Sequence, residues 1–122
     1  MKSLLLVEQD LMLADMYMAM LKNHHKVQCA RSAQEAIDIL DEEATDLVIT
    51  DIQVDDHNGI ELIHTIRSYE DWIDLPLVIL SSLPEAELPL TKRQLQRYGI
   101  SAYLYKPEVT PKDVLNYALR FA

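Results

Sequence analysis

The sequence predicts an α/β fold: a doubly wound, flavodoxin-like (βα)5 arrangement with a five-stranded parallel sheet in strand order 2-1-3-4-5, spanning residues 1–122 as a single domain. Three observations predict it. Short runs that are apolar at consecutive positions alternate with longer amphipathic stretches, the pattern of parallel strands covered by helices on both faces. No repeat, low-complexity tract or shift in composition divides the chain. Hydrophobic residues make up 49% of it with only two glycines, as a compact core requires. A chain of 122 residues removes roughly two-thirds of its unfolded surface from water.

Taken in order, Leu4-Leu5-Leu6-Val7 reads as the first strand and ends in Glu8. Asp10 caps a helix expected to run to about Asn23, with Leu13, Tyr17 and Met20-Leu21 on one stripe. Val27 to Ala30 is a weaker, more polar strand, as suits a sheet edge. Ser32 with Glu35 makes a capping-box pattern before Ala36, Ile37 and Leu40. The third strand, Leu47-Val48-Ile49-Thr50, ends in Asp51. Asn58 with Glu61 repeats the cap signal ahead of Ile60, Ile63 and Ile66.

The fourth strand, Leu77-Val78-Ile79-Leu80, ends in Ser81. Pro84 and Pro89 bracket the next segment, and Pro89 would disrupt a helix begun near Pro84. The fourth helix is therefore expected from Thr91, which pairs with Gln94 as a capping box, to Tyr98, with Gly99 ending it. This leaves a long, partly irregular connection from Ser82 to Leu90. Ala102 to Leu104 is the second edge strand, with Tyr105 and then Lys106-Pro107 after it. Thr110-Pro111-Lys112-Asp113 opens the last helix with a cap, a proline at its first position and an acid in its first turn. Val114, Leu115, Ala118 and Leu119 supply its buried face.

Composition narrows the function. A net charge of −9 argues against nucleic acid or an anionic membrane as a direct partner and favours a basic surface or a bound cation. The single cysteine, Cys29, excludes an internal disulfide and a multi-cysteine metal site, and its apolar run suggests a buried, inert thiol. No apolar run approaches a membrane span and no signal-peptide core opens the sequence, so a cytoplasmic protein is expected. His24-His25 suits a helix carboxyl end better than a metal, and His57 has no triad pattern around it. Met12, Met16, Met18 and Met20 read mostly as packing residues, and Trp72 as a cap on the sheet edge. Lys92, Arg93 and Arg97 form a basic stretch whose default is a solvated helix face.

In a parallel α/β sheet the carboxyl ends of the strands share one edge, and the crevice opens outside strands one and three. Glu8 and Asp51 stand at those two mouths, and Ser81 and Lys106 end their own strands at the same edge. Phosphoryl transfer to a carboxylate needs an exposed acceptor, a divalent cation to offset charge, and fixed donors for the phosphoryl oxygens. Asp51 suits the acceptor, Lys106 a point charge and Ser81 a hydroxyl donor. Glu8, Asp51 and a loop carbonyl could supply the oxygen shell that magnesium prefers. Singly, each of these residues is an ordinary turn or surface feature. Together, four at four strand ends in the right order outweigh that reading.

The set resembles the receiver domain of two-component response regulators, of the chemotaxis-regulator type, over essentially the whole chain. The resemblance implies a signalling domain rather than an enzyme, at most catalysing its own phosphorylation and dephosphorylation. Asp51 would be the phosphoacceptor and Lys106 the invariant lysine, joined to Pro107 by a cis peptide. Ser81 would be the switch hydroxyl and Tyr103 the aromatic switch. Magnesium would be held by Glu8, Asp51, the Gln53 carbonyl and the residue at position 9. There the family has an aspartate and this chain has Gln9, whose amide can ligate but brings no charge, so weakened magnesium binding is expected. The family's Met-Pro is replaced by Val54-Asp55, with Gly59 in its usual place; Asp55 or Asp56 could restore some charge.

The implied partners are a histidine kinase or phosphotransfer protein and an output protein or fused effector domain, reached through the fourth helix, fifth strand and fifth helix. A homodimer is within what the resemblance allows. Two other readings are weighed against it. A phosphorylation-independent interaction module is favoured by Gln9, the absent Met-Pro and the remodelled Ser82 to Leu90 connection. An aspartyl phosphatase of the haloacid dehalogenase type wants an aspartate two residues past its nucleophile, and Gln53 stands there instead.

Overall fold

The computed structural model describes residues 1–54, 57–88 and 90–122. Asp55, Asp56 and Pro89 lie outside the described residues, as do the side chains of Val54, His57 and Asn58, so the expectations placed on them stay there.

Among the described residues five strands, β1 (Ser3–Val7), β2 (Lys26–Ala30), β3 (Leu47–Thr50), β4 (Leu77–Ser81) and β5 (Ile100–Tyr105), alternate with five helices, α1 (Leu11–Leu21), α2 (Ala33–Glu42), α3 (Gly59–Ser68), α4 (Lys92–Arg97) and α5 (Pro111–Phe121). The strands form one parallel sheet in the order β2-β1-β3-β4-β5, as the sequence predicts. Alternation of side chains along each strand divides the core in two. Leu5, Val7, Val48 and Ile79 face a layer built from Ala36 and Leu40 of α2 and Leu62, Ile63 and Ile66 of α3. Leu4, Leu6, Ile49, Val78 and Leu80 face Ala14, Tyr17 and Leu21 of α1 and Val114 and Ala118 of α5. Central strands read as unbroken apolar runs because both of their faces are covered.

Local chemistry sets the helix ends. The Asp10 carboxylate accepts from the Met12 and Leu13 amides and starts α1. Thr91 with Gln94 and Thr110 with Asp113 form complete capping boxes for α4 and α5. Ser32 accepts from the Glu35 amide, but the Glu35 carboxylate turns to the Arg31 amide, one residue before the expected partner. Helix α1 stops at Leu21, where the amides of His24 and His25 both meet the Leu21 carbonyl. Gly99 ends α4 at φ 67°, a conformation that L side chains resist.

A small antiparallel pairing of Gln53–Val54 with His57–Asn58 and three single turns of 3-10 helix, at Glu70–Trp72, Glu85–Glu87 and Lys106–Glu108, go beyond the elements expected from the sequence. Trp72 packs against the α2–α3 side of the core from the first of these turns.

Register brings the site together. Val7 is opposite Ala30 on one side and Thr50 on the other, so Glu8 and Asp51 leave the sheet side by side. Their amides still donate across it, Glu8 to the Ala30 carbonyl and Asp51 to the Val7 carbonyl. Both carboxylates are thereby fixed by backbone bonds before any side-chain partner is counted.

Candidate functional site

At the mouth between β1 and β3, the Lys106 ammonium lies 2.6 Å from Glu8 Oε1 and 2.6 Å from Asp51 Oδ2. All three are largely withdrawn from water, Glu8 at 1% and Asp51 at 6% exposure. The other oxygens of the pair are used as well: Asp51 Oδ1 accepts from the Gln53 amide at 3.1 Å, and Glu8 Oε2 from the Asp10 amide at 3.3 Å. The Thr50 hydroxyl donates to the Asp51 carbonyl at 3.0 Å and braces the strand end.

Two carboxylates share one ammonium, so the cluster is one positive charge short. Burial pushes the Glu8 carboxyl above its ordinary value, with Lys106 pulling the other way. Burial also opposes charge on Lys106, but its hydrogen bonds with Asp51 and Glu8 prevail and raise it. Lys106 is therefore a permanent cation here, and Glu8 the strained member of the set. Its Oε1 is buried and pairs with the Lys106 ammonium at 2.6 Å.

The donors present fit magnesium by type: the Glu8 and Asp51 carboxylates, the Gln53 carbonyl and the Gln9 amide are all oxygen ligands. The charge is lower than three acids would give. Among the described residues no three His, Cys, Asp or Glu side chains are grouped to hold a metal ion. Gln9 is exposed at the rim, and its backbone carbonyl accepts from Arg31 at 3.4 Å in an open cleft shared with Asp10 and Ser32.

Ser81 is fully buried at the end of β4. Its hydroxyl accepts from the Leu83 amide at 3.1 Å, while the Tyr103 hydroxyl donates to the Leu83 carbonyl in a very short bond. Burial raises the Tyr103 phenol, and a hydrogen bond with Ser81 offsets part of that. Ser81 and Tyr103 are thus joined to each other and to the first residues of the connection leading to α4.

The structure unites Glu8, Asp51 and Lys106 directly, ties Gln53 to them through its backbone, places Ser81 at the carboxyl end of its strand opposite Tyr105, links Tyr103 to Leu83, and leaves Gln9 on the rim. The Lys106–Pro107 peptide departs from expectation. No cis bond occurs among the described residues, and the chain passes from β5 straight into the turn Lys106–Glu108. Two further participants stand outside the set expected from the sequence. Leu83 acts only through its backbone, which carries no sequence signal. Tyr17 reads as a packing residue, yet its buried phenol feels Lys106, Glu8 and Asp51 across the α1 side of the core; burial raises it and Lys106 works against that. Cys29 is half-buried rather than buried, and burial raises its thiol, which keeps it protonated and inert.

Comparison with known proteins agrees with this geometry. A family model described as the response regulator receiver domain matches residues 4–118. The transcriptional regulatory protein CitT of Halalkalibacterium halodurans is 32% identical over 120 residues, covering 94% of this chain and 49% of that protein. The transcriptional regulatory protein MalR of Bacillus subtilis is 33% identical over 108 residues, covering 86% of this chain and 44% of that protein. The chain therefore spans about half the length of these curated relatives. Among solved structures, the chemotaxis response regulator CheY4 of Vibrio cholerae superposes with a TM-score of 0.85 at 21% identity, over 100% of this chain and 99% of that one. The non-phosphorylated HemR receiver domain of Leptospira biflexa gives a TM-score of 0.82 at 28% identity, over 99% and 94%. With the family model matching nearly end to end on a sheet whose strand ends bring an aspartate, a glutamate and a lysine together, the chain belongs to the receiver domains of two-component response regulators.

Proposed function

We propose that Asp51 is the phosphoacceptor, taking a phosphoryl group from a phosphohistidine on a kinase or phosphotransfer protein. One Asp51 oxygen forms the new P–O bond as the P–N bond breaks, and the donor imidazole keeps the electron pair. The observation that best supports this is the Lys106 ammonium, 2.6 Å from Asp51 Oδ2 and already desolvated, so that it can hold a phosphoryl oxygen as charge develops. Glu8 orients that ammonium from the other side. The Gln53 amide fixes the remaining Asp51 oxygen, which limits the directions of attack. Glu8, Asp51, the Gln53 carbonyl and the Gln9 amide would hold magnesium, which when bound offsets charge on the phosphoryl oxygens.

A phosphoryl group on Asp51 adds acceptor oxygens at the mouth of the sheet. Rotation of the Ser81 side chain, now an acceptor for Leu83, would turn its hydroxyl proton toward them. Leu83 would lose that bond and Tyr103 would lose its fixed carbonyl partner, changing the face made by α4, β5 and α5 that an output protein or fused effector domain contacts. Residues 1–122 act as one receiver unit in the cytoplasm, within a phosphorelay. Among the described residues no helix is long and apolar enough to cross a membrane.

Incubation with acetyl phosphate and saturating magnesium should add the mass of one phosphoryl group to the wild-type protein and none to Asp51→Asn. No gain in the wild type would end this reading and leave an interaction module that works without phosphorylation. An equal gain in Asp51→Asn would move the acceptor elsewhere.

A further inference from the structure

Arg67 lies in the last turn of α3, yet its bonds go to other elements. Its Nε donates to the Tyr98 carbonyl at 2.6 Å, Nη1 to the Trp72 carbonyl at 2.8 Å and Nη2 to the Gly99 carbonyl at 3.5 Å. Tyr98 is the C-cap of α4 and Gly99 comes next at positive φ, so two of these three acceptors are carbonyls that a helix end leaves without intrahelical donors. One guanidinium thus serves the negative ends of two helices, its own and α4. One turn earlier in α3, His64 meets the Tyr98 ring edge-on at 6.2 Å, with Nδ1 3.4 Å from the Tyr98 hydroxyl. Two residues of α3 grip the carboxyl end of α4.

The amino end of α4 is held quite differently. The helix has six residues, and Leu95 is the one it buries; Lys92, Arg93 and Gln94 are exposed. Its capping box is internal to Thr91 and Gln94, and among the described residues the apolar packing of Leu88, Leu90 and Leu95 holds this end to the core, a contact without the fixed direction of hydrogen bonds. Upstream, the connection is referenced to the site through Leu83, whose amide and carbonyl are taken by Ser81 and Tyr103. One end of this segment answers to the phosphoacceptor pocket and the other to α3.

Building on the proposed role of Asp51, we propose that Arg67 is a positioning residue that makes the carboxyl end of α4 a fixed pivot. When Ser81 and Tyr103 rearrange, the connection from Ser82 and the amino end of α4 swing while Tyr98 and Gly99 stay on α3. The change at the pocket is thereby converted into a tilt of α4 rather than a slide. A planar fork with several donors in fixed directions is suited to three separate carbonyls; a lysine ammonium is not.

The test is amide hydrogen exchange on the full chain, with and without magnesium and beryllium fluoride, for wild type, Arg67→Met and Arg67→Lys. In the wild type, beryllofluoride should change exchange by at least about fivefold between Ser82 and Leu95 and by less than about twofold from Gln96 to Gly99. In both variants the beryllofluoride-dependent change should spread through Gln96 to Gly99. Equal loosening of Gln96 to Gly99 with and without beryllofluoride, and no spread, would mean that Arg67 only stabilises the fold and would overturn the pivot. A wild-type change at Gln96 to Gly99 as large as that at Lys92 to Leu95 would overturn it as well, and needs no variant to fold. Calorimetry separates the pivot from the phosphoacceptor role. Heat of beryllofluoride binding without any exchange change in Ser82 to Tyr105 removes the pivot alone, whereas no binding removes the phosphoacceptor reading and the pivot with it.

Discussion

Glu8, Asp51 and Lys106 are legible in the sequence because each ends a strand, and the parallel sheet turns that position into a shared edge. Gln9 is legible as a departure, and its consequence is electrostatic. An added carboxylate at the rim would act on a bound cation at short range, where even partly screened charge is worth more than about 1 kcal/mol. Gln9→Asp should tighten magnesium binding by about tenfold, or about 1.4 kcal/mol. Isothermal calorimetry is the measurement to use, since Trp72 lines a cleft with Asp46, Leu75 and Pro76 at the amino end of β3, away from the pocket, and would report poorly. Unchanged affinity would show that position 9 does not reach the metal. Arg67 and Leu83 are illegible for a common reason. Both act on or through backbone groups, and any residue type offers those, so nothing in the side-chain pattern distinguishes the positions.

Among elements, the strands and helices that obey periodicity or capping are readable, and the short pieces that obey neither are not. A two-residue pairing such as Gln53–Val54 with His57–Asn58 is too brief to show alternation. Yet this pairing carries the chain from Asp51 back to the start of α3, where Gly59 donates its amide to the Ile52 carbonyl in a very short bond. A Cβ on Gly59 would come within 2.6 Å of the Asp51 and Ile52 carbonyl oxygens, both backbone atoms that cannot swing aside. Gly59 is needed for close approach, since its backbone is helical. Gly59→Ala should cost about 1–3 kcal/mol in urea unfolding and weaken beryllofluoride binding at the same time, because the strain falls on the peptide that carries Asp51. Wild-type stability in this variant would mean that α3 can shift away from Asp51 without loss. Gly99 differs: a Cβ there finds its nearest atom at 3.8 Å, and the positive φ is the obstacle.

For the molecule as a whole, stability against pH is the sum of buried groups on both sides of the sheet, and two of them pull in opposite directions. Glu8 has a raised carboxyl, so its contribution is fully present below the ordinary carboxylate value and is lost as pH rises through the folded one. His25, 4% exposed just after α1 with Nδ1 unpartnered, has a lowered imidazole, chiefly by burial, against a bond with the Leu21 backbone. A lowered histidine is neutral in the folded protein and takes a proton more readily when unfolded. Its contribution is present above about pH 6.5, the ordinary imidazole value, and is lost as pH falls from there through the folded value. The measured profile mixes both, so the wild type alone cannot apportion them, but Glu8 cancels in a difference. Urea unfolding of wild type and His25→Gln at about pH 7.5 and about pH 5.5 should show the wild type losing more stability on acidification, by on the order of 1 kcal/mol. Parallel loss in the two proteins would mean that the imidazole takes up its proton in the folded state as easily as in the unfolded one, and that the space beneath the end of α1 is open to water.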